Sequence, residues 1–100
     1  METQSASRNM VGPVIQAGEF ADAIAEAIAI DNPGKQVSVR ERASYVRIEV
    51  DAECILRRST VQEVLGRPFR LSEIEQNMPS FSGQIDAGEE KIRFYFEKSL

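Results

Sequence analysis

The sequence has no histidine and no tryptophan among its 100 residues, and it has a single cysteine, Cys54. Without imidazole, the commonest general base and the commonest metal ligand are both missing. One thiol cannot close an internal disulfide, and with no imidazole to activate it Cys54 reads as a small packed residue. A cysteine-dependent enzyme ranks behind that reading. Long apolar runs are missing too. Nothing approaches the ~20 apolar residues of a membrane span, and the opening METQSASRN lacks the apolar stretch of a signal peptide. Positive charge is in deficit, with Lys+Arg 12 against Asp+Glu 16 and a net charge of −4. An acidic chain offers no counter-charge to nucleic acid or an anionic membrane, so neither is expected as a partner. The lone cysteine fits a reducing cytoplasm.

Phosphate-binding signatures are absent as well. The stretch NMVGPVIQAG sets two glycines before an alanine-rich helical segment, as a phosphate loop does. Here Gly12 and Gly18 enclose five residues rather than the four of G-x-x-x-x-G-K-[ST], and Glu19 stands where the lysine belongs. A carboxylate there repels phosphate. No G-x-G-x-x-G pattern, EF-hand loop or zinc spacing occurs elsewhere.

What is present is a chain with 42% hydrophobic residues, enough for one modest core. Residues 1–8 carry small and polar side chains and read as a flexible N-terminal tail, leaving residues 9–100 as a single domain. MVGPVIQ (10–16) predicts a strand that Pro13 confines to an edge or a bulge. From Glu19 to Ile30, Phe20, Ile24, Ala27 and Ile28 share one helical face and Glu19, Asp22 and Glu26 another. Asp31 to Lys35 (DNPGK) then suits a type II turn around Pro33 and Gly34. QVSV, YVRIEV and ECILRR predict three strands, with Val46, Ile48 and Val50 on one face. Thr60 with Glu63, and Ser72 with Glu75, have capping-box spacing for two short helices, stopped by Gly66 and Pro79. FSGQI and KIRFYFE predict a hairpin about Gly88, with Ile92, Phe94 and Phe96 on one face. The order β-α-β-β-β-α-α-β-β predicts an α+β domain, mainly antiparallel sheet, with one longer and two short helices.

The blocks IDNPGK (30–35), YVRI (45–48), LGRPF (65–69), FSGQI (81–85) and IRFYFEK (92–98) occur in this order and at these spacings in a known family. The chain resembles the small effector, or coupling, proteins of bacterial multicomponent diiron monooxygenases, and within them most of all the toluene monooxygenase effectors. The sparser frame of the methane monooxygenase regulatory proteins is also present: Asn32-Pro33, Arg42, Tyr45, Ile48, Leu65-Gly66-Arg67 and Phe69. The methane relatives carry a long functional N-terminal arm, and the short polar tail here is not expected to play that role. The resemblance implies a protein with no catalytic residues and no metal or organic cofactor, monomeric when free. It would dock on the large subunit of a diiron hydroxylase, over the helices that hold the iron. There it would alter oxygen reactivity, gate substrate access and couple electron use to hydroxylation of an aromatic hydrocarbon or alkene. A ferredoxin or reductase would compete for the same face. The alternative from another class is a stand-alone β-grasp-like adaptor or carrier, but the chain ends EKSL without the reactive terminus such a carrier needs.

The segment NMPSFSGQ (77–84) is the main expected docking element. The resemblance carries over most directly to Pro79, Ser80 and Phe81, with Asn77, Ser82, Gly83 and Gln84 beside them. Gly83 inside a strand implies either close backbone approach or a bulge. If 81–85 is one regular strand, Phe81 packs with Phe94 or Phe96 while Ser82 and Gln84 point the other way. Tyr45 and Arg47 lie opposite the Val46/Ile48 face, either exposed or under a helix. Arg67 pairs with nearby acids or with a partner. Asn32 belongs first to its turn and second to a contact surface.

Overall fold

A valine-rich strand crossed by a proline lies at the centre of the fold. The computed structural model describes residues 9–97, so the tail expected at residues 1–8 lies outside the described residues. Among these, the elements run β1 (Met10–Gln16), α1 (Glu19–Asp31), β2 (Val37–Arg42), β3 (Tyr45–Asp51), β4 (Glu53–Arg57), α2 (Arg58–Leu65), α3 (Ser72–Asn77), β5 (Ser80–Ser82), β6 (Gln84–Ala87) and β7 (Lys91–Tyr95). They form two antiparallel sheets, ordered β2-β3-β1-β5 and β4-β7-β6. The α+β class is as the sequence predicts.

The core lies between the sheets and the helices. Alternation in β3 turns Val46, Ile48 and Val50 inward, where they meet Val11 and Ile15 of β1, Ile24, Ala27 and Ile28 of α1, and Phe94 of β7. Small residues at Ala21 and Ala27, both fully buried, let α1 approach the sheets closely. Phe20 packs its ring against Phe69, 5.9 Å between centroids, and Phe69 is buried in the core. Cys54, in β4, is buried within the same core.

Three local expectations are corrected. First, Pro13 sits in an interior strand, with β3 on one side of β1 and β5 on the other. The β1–β3 pairing passes from Val11↔Val50 to Val14↔Arg47, lapsing at Gly12 and Pro13 without an added residue. A Cβ on Gly12, at φ +147°, would lie 2.1 Å from the Ile48 carbonyl oxygen. Only glycine allows that approach, and the proline falls where the ladder is already interrupted.

Second, FSGQI is two strands. At Gly83 (φ +91°) the chain leaves the first sheet and enters the second, and a Cβ there would stand 2.5 Å from Val11 Cγ1 and 2.7 Å from the Tyr95 carbonyl oxygen. Phe81 therefore pairs with Pro13, and only β6 forms the hairpin with β7 about Gly88. Ile92 and Phe94 face the core as expected, whereas Phe96 lies beyond β7 and is 43% exposed.

Third, neither capping box forms. Helix α2 begins at Arg58, and Thr60 is buried inside its first turn, donating to Asp31 Oδ1 at 2.6 Å. The other Asp31 oxygen accepts from the Arg57 amide at 2.8 Å, so a carboxylate from the end of α1 serves the start of α2. Helix α3 has Leu71 as its N-cap and Ser72 as its first residue, with no side-chain cap. The stops hold: Gly66 is left-handed (φ +74°) and bonds back to Gln62, and α3 ends before Pro79.

Candidate docking surface

The four-stranded sheet turns one side to the core and the other outward. Pairing sets the outer side in rows: Ser38 beside Glu49, Arg40 beside Arg47, and Arg42 beside Tyr45 across β2 and β3. Val14 and Gln16 of β1 continue the last two rows beside Arg47 and Tyr45, and Ser80 and Ser82 of β5 stand opposite Val14 and Gly12.

The centre of this outer side is an ion network. The Glu49 side chain is only 10% exposed and is held by two arginines, Arg40 Nη2 at 3.2 Å from Oε1 and Arg47 Nη1 at 3.3 Å from Oε2. Arg47 Nη1 also donates to Ser82 Oγ at 3.0 Å, and Ser82 Oγ donates to Glu49 Oε2 at 3.1 Å. This closed triangle ties β3 to β5 across the intervening β1, a reach of two strand spacings, roughly 9–10 Å. Gly12, the β1 residue beside Ser82 and against the Glu49 backbone, places no side chain in the way. A carboxylate so nearly buried needs such partners, since leaving it unpaired costs several kcal/mol, on the order of 3–5.

Four expected docking residues, Tyr45, Arg47, Ser80 and Ser82, therefore meet on one side of one sheet. Pro79, Gly83 and Gln84 are exposed along the adjoining edge. Phe81 points to the opposite side from Ser82, is 40% exposed, and rests its ring 5.9 Å from that of Phe94. Arg67 and Asn77 gather elsewhere, around Glu73: Arg67 approaches the Glu73 carboxylate at 3.5 Å, and Asn77 Nδ2 donates to the Glu73 carbonyl at 3.0 Å.

Asn32 is not on the surface. It is 6% exposed, and its carboxamide is consumed by backbone, donating to Ile28 O at 2.7 Å and Ile55 O at 2.8 Å while accepting from Ile55 N at 2.9 Å. Lys35, three residues on, donates to the carbonyls of Asp51 and Glu53, both at 3.0 Å. The DNPGK segment thus fastens the end of α1 to β4, and its turn is part of that fastening.

Arg40 and Glu49 are the members of the network that sequence reasoning missed. The signal was there: with alternation in VSVRER and YVRIEV, Arg40, Arg47 and Glu49 fall on the side opposite Val46 and Ile48. Cys54 offers no chemistry, because burial pushes its thiol up to about 12, far from a reactive thiolate. No helix of the described residues is long and apolar enough to cross a membrane.

The sequence profile of the MmoB/DmpM family matches residues 9–95. The chain is 47% identical over 89 residues to the effector subunit of the alkene monooxygenase system of Xanthobacter autotrophicus, an alignment spanning 89% of this chain and 88% of that protein. It is 32% identical to the phenol 2-monooxygenase stimulatory component DmpM of a Pseudomonas species, over 89% of this chain and 94% of the other. Among solved structures, a chain in a phenol hydroxylase–regulatory protein complex superposes with a TM-score of 0.77 at 25% identity, covering 88% of this chain and 99% of that one. The soluble methane monooxygenase regulatory protein B shares the fold, with a TM-score of 0.66 at 20% identity over 89% and 66% of the two chains. The chain belongs to the MmoB/DmpM family. It is an effector component of a multicomponent monooxygenase and not a catalytic subunit. These relatives serve alkene and phenol systems, so the narrower tie to toluene monooxygenases does not follow from them.

Proposed function

We propose that this chain docks on the large subunit of a diiron hydroxylase through the outer side of its four-stranded sheet and the adjoining segment 79–84. There it tunes oxygen reactivity and substrate access and keeps electron use coupled to hydroxylation of an alkene or aromatic hydrocarbon. The observation that carries the surface is the Arg47–Ser82 hydrogen bond of 3.0 Å, which joins two stretches distant in sequence into one face. The partner is supported by the relative of known structure, which is a chain of a phenol hydroxylase–regulatory protein complex. The proposed chain is monomeric when free, carries no cofactor, acts in the cytoplasm, and competes with a ferredoxin or reductase for the hydroxylase.

A cofactor-free effector can act in one physical way: it binds one hydroxylase conformation more tightly than another and shifts their populations. A rigid face suits that task, because a surface that deforms on contact loses the differential affinity that drives the shift. Ser82 and Gln84 are the test positions, as neither lies in the buried core. Gln84→Ala should retain the wild-type stability to within ~0.5 kcal/mol, whereas Ser82→Ala removes two bonds of the Glu49 network and should cost about 1–3 kcal/mol while the chain stays folded. Each should lower hydroxylase affinity and the ratio of product formed to reductant consumed. Normal affinity and coupling in both variants would move the docking surface elsewhere.

A further inference from the structure

We infer that the outer side of the four-stranded sheet recognises an acidic surface of its partner protein, with Arg40, Arg42 and Arg47 as the cationic contacts; this rests on the docking reading above. The chain as a whole is acidic, at −4, yet charge is unevenly placed. Glu19, Asp22 and Glu26 lie exposed on α1. The outer side of the sheet gathers three arginines in adjoining rows against Glu49, with Asp51 at the far end of β3. Glu49 is nearly buried beneath its partners, whereas the Arg40 side chain remains 56% and that of Arg47 35% exposed. The network therefore shows solvent the cations and hides the anion.

That asymmetry gives the face a chemistry. Arg47 is aimed by two oxygens, Glu49 Oε2 and Ser82 Oγ, and Arg40 by Glu49 Oε1, so two guanidinium groups are held in place before a partner arrives. Each retains N–H donors beyond those bonds, and planar donors in fixed orientation match carboxylates. Tyr45, 38% exposed and paired with Arg42, adds an amphipathic ring to the same end of the face. An acidic partner is attracted to this side and repelled by the acidic face of α1, which biases the orientation of encounter as well as its rate.

The test measures the dissociation constant for the purified hydroxylase of the same monooxygenase at low and high sodium chloride. Charges separated by more than ~10 Å are screened at about 0.1 M salt, so raising salt from ~0.05 to ~0.5 M should weaken wild-type binding about tenfold. Arg40→Gln/Arg42→Gln removes two exposed cations and leaves Arg47 on Glu49, so the fold is kept and the denaturant midpoint checks it. This variant should bind about fivefold more weakly at low salt and lose most of the salt dependence. Arg42→Glu should bind more weakly than Arg42→Gln, and Arg70→Gln, remote from the face, should match wild type. A wild-type complex indifferent to salt, or a folded double variant with wild-type affinity and salt dependence, overturns the inference and leaves the docking reading standing. A chain that binds no hydroxylase at low salt overturns both.

Discussion

Asn32 joins Ile55 as one strand joins another: its carboxamide accepts the Ile55 amide at 2.9 Å and donates to the Ile55 carbonyl at 2.8 Å. A third bond, to the Ile28 carbonyl, closes the last turn of α1 with the same side chain. One buried residue thereby caps a helix and extends a sheet. Asn32→Ala should leave these backbone groups without partners and cost about 2–3 kcal/mol, read as a denaturant midpoint. Asn32→Asp keeps the acceptor but loses both donated bonds, so it should be destabilised as well. A midpoint unchanged in Asn32→Ala would mean water replaces all three bonds.

Gly12 and Gly83 should be the least replaceable glycines. Both hold left-handed φ values, and at both a Cβ would strike backbone atoms. Gly34 is also left-handed, at φ +81°, but has nothing within 4 Å. Gly83→Ala should therefore cost more than the ~1–3 kcal/mol of backbone strain alone, and Gly34→Ala should stay within that range. Equal losses at the two sites would show that the contact with Val11 and Tyr95 is relieved by small shifts.

How the chain folds was legible wherever a single period governed. The alternation of Val46, Ile48 and Val50, the helical spacing of Ile24, Ala27 and Ile28, and the Pro33-Gly34 turn all appear where the sequence places them. The misses share a cause. Thr60 was drawn from its capping role by a carboxylate 29 positions away, and Gly83 splits a strand because β1 and β7 converge on it. Asn32 looks in the sequence like a turn residue and contact position because its partner lies 23 positions downstream. Local signals cannot report such long-range partners. The candidate surface was legible in half its members for the same reason: alternation placed Arg47 and Tyr45, but pairing Ser82 with Glu49 needs the order β3-β1-β5.

A pH dependence should follow from Glu53. A hydrogen bond from Arg93 is the main cause that holds its carboxyl below the usual value of 4.5. A carboxylate depressed on folding contributes stability that is present above the unfolded value and is lost as pH falls through the folded one. The stability difference between wild type and Glu53→Gln should thus be constant from neutral pH down to about 4.5, then shrink on further acidification. A difference that grows on acidification would reverse the sign of the interaction. Because the two side chains remain 38% and 42% exposed, salt should weaken the pair in part.

Cys54 should resist thiol reagents in the native protein at mildly alkaline pH and react only as the chain unfolds. It is fully buried, with its thiol pushed up to about 12. Cys54→Ser places a hydroxyl against Phe94 and Leu56 in the same core and should cost about 1–3 kcal/mol, while Cys54→Ala loses packing alone. Rapid native labelling would show an opening of the β4–β7 sheet that the closed structure does not contain.

Phe81 divides stability from docking within the segment 79–84. Its ring lies 5.9 Å from Phe94, on the side of β5 opposite Ser82, but it is 40% exposed. A fully buried phenylalanine truncated to alanine costs about 3–5 kcal/mol, and a ring this exposed forfeits less area and closes no cavity. Phe81→Ala should therefore lower stability by about 1–2 kcal/mol. The same exposure leaves part of the ring free to meet a partner across the sheet edge, next to Pro79 and Gln84. Its contribution to hydroxylase binding is separable by Phe81→Leu, which keeps an apolar side chain over Phe94. If the ring serves only the core, Phe81→Leu should restore both midpoint and affinity. If it also anchors the partner, the midpoint should recover while affinity stays reduced, because aromatic anchors depend on their flat face and area. A midpoint unmoved even by Phe81→Ala would remove the contact with Phe94 from the account of stability and leave Phe81 entirely to the docking surface.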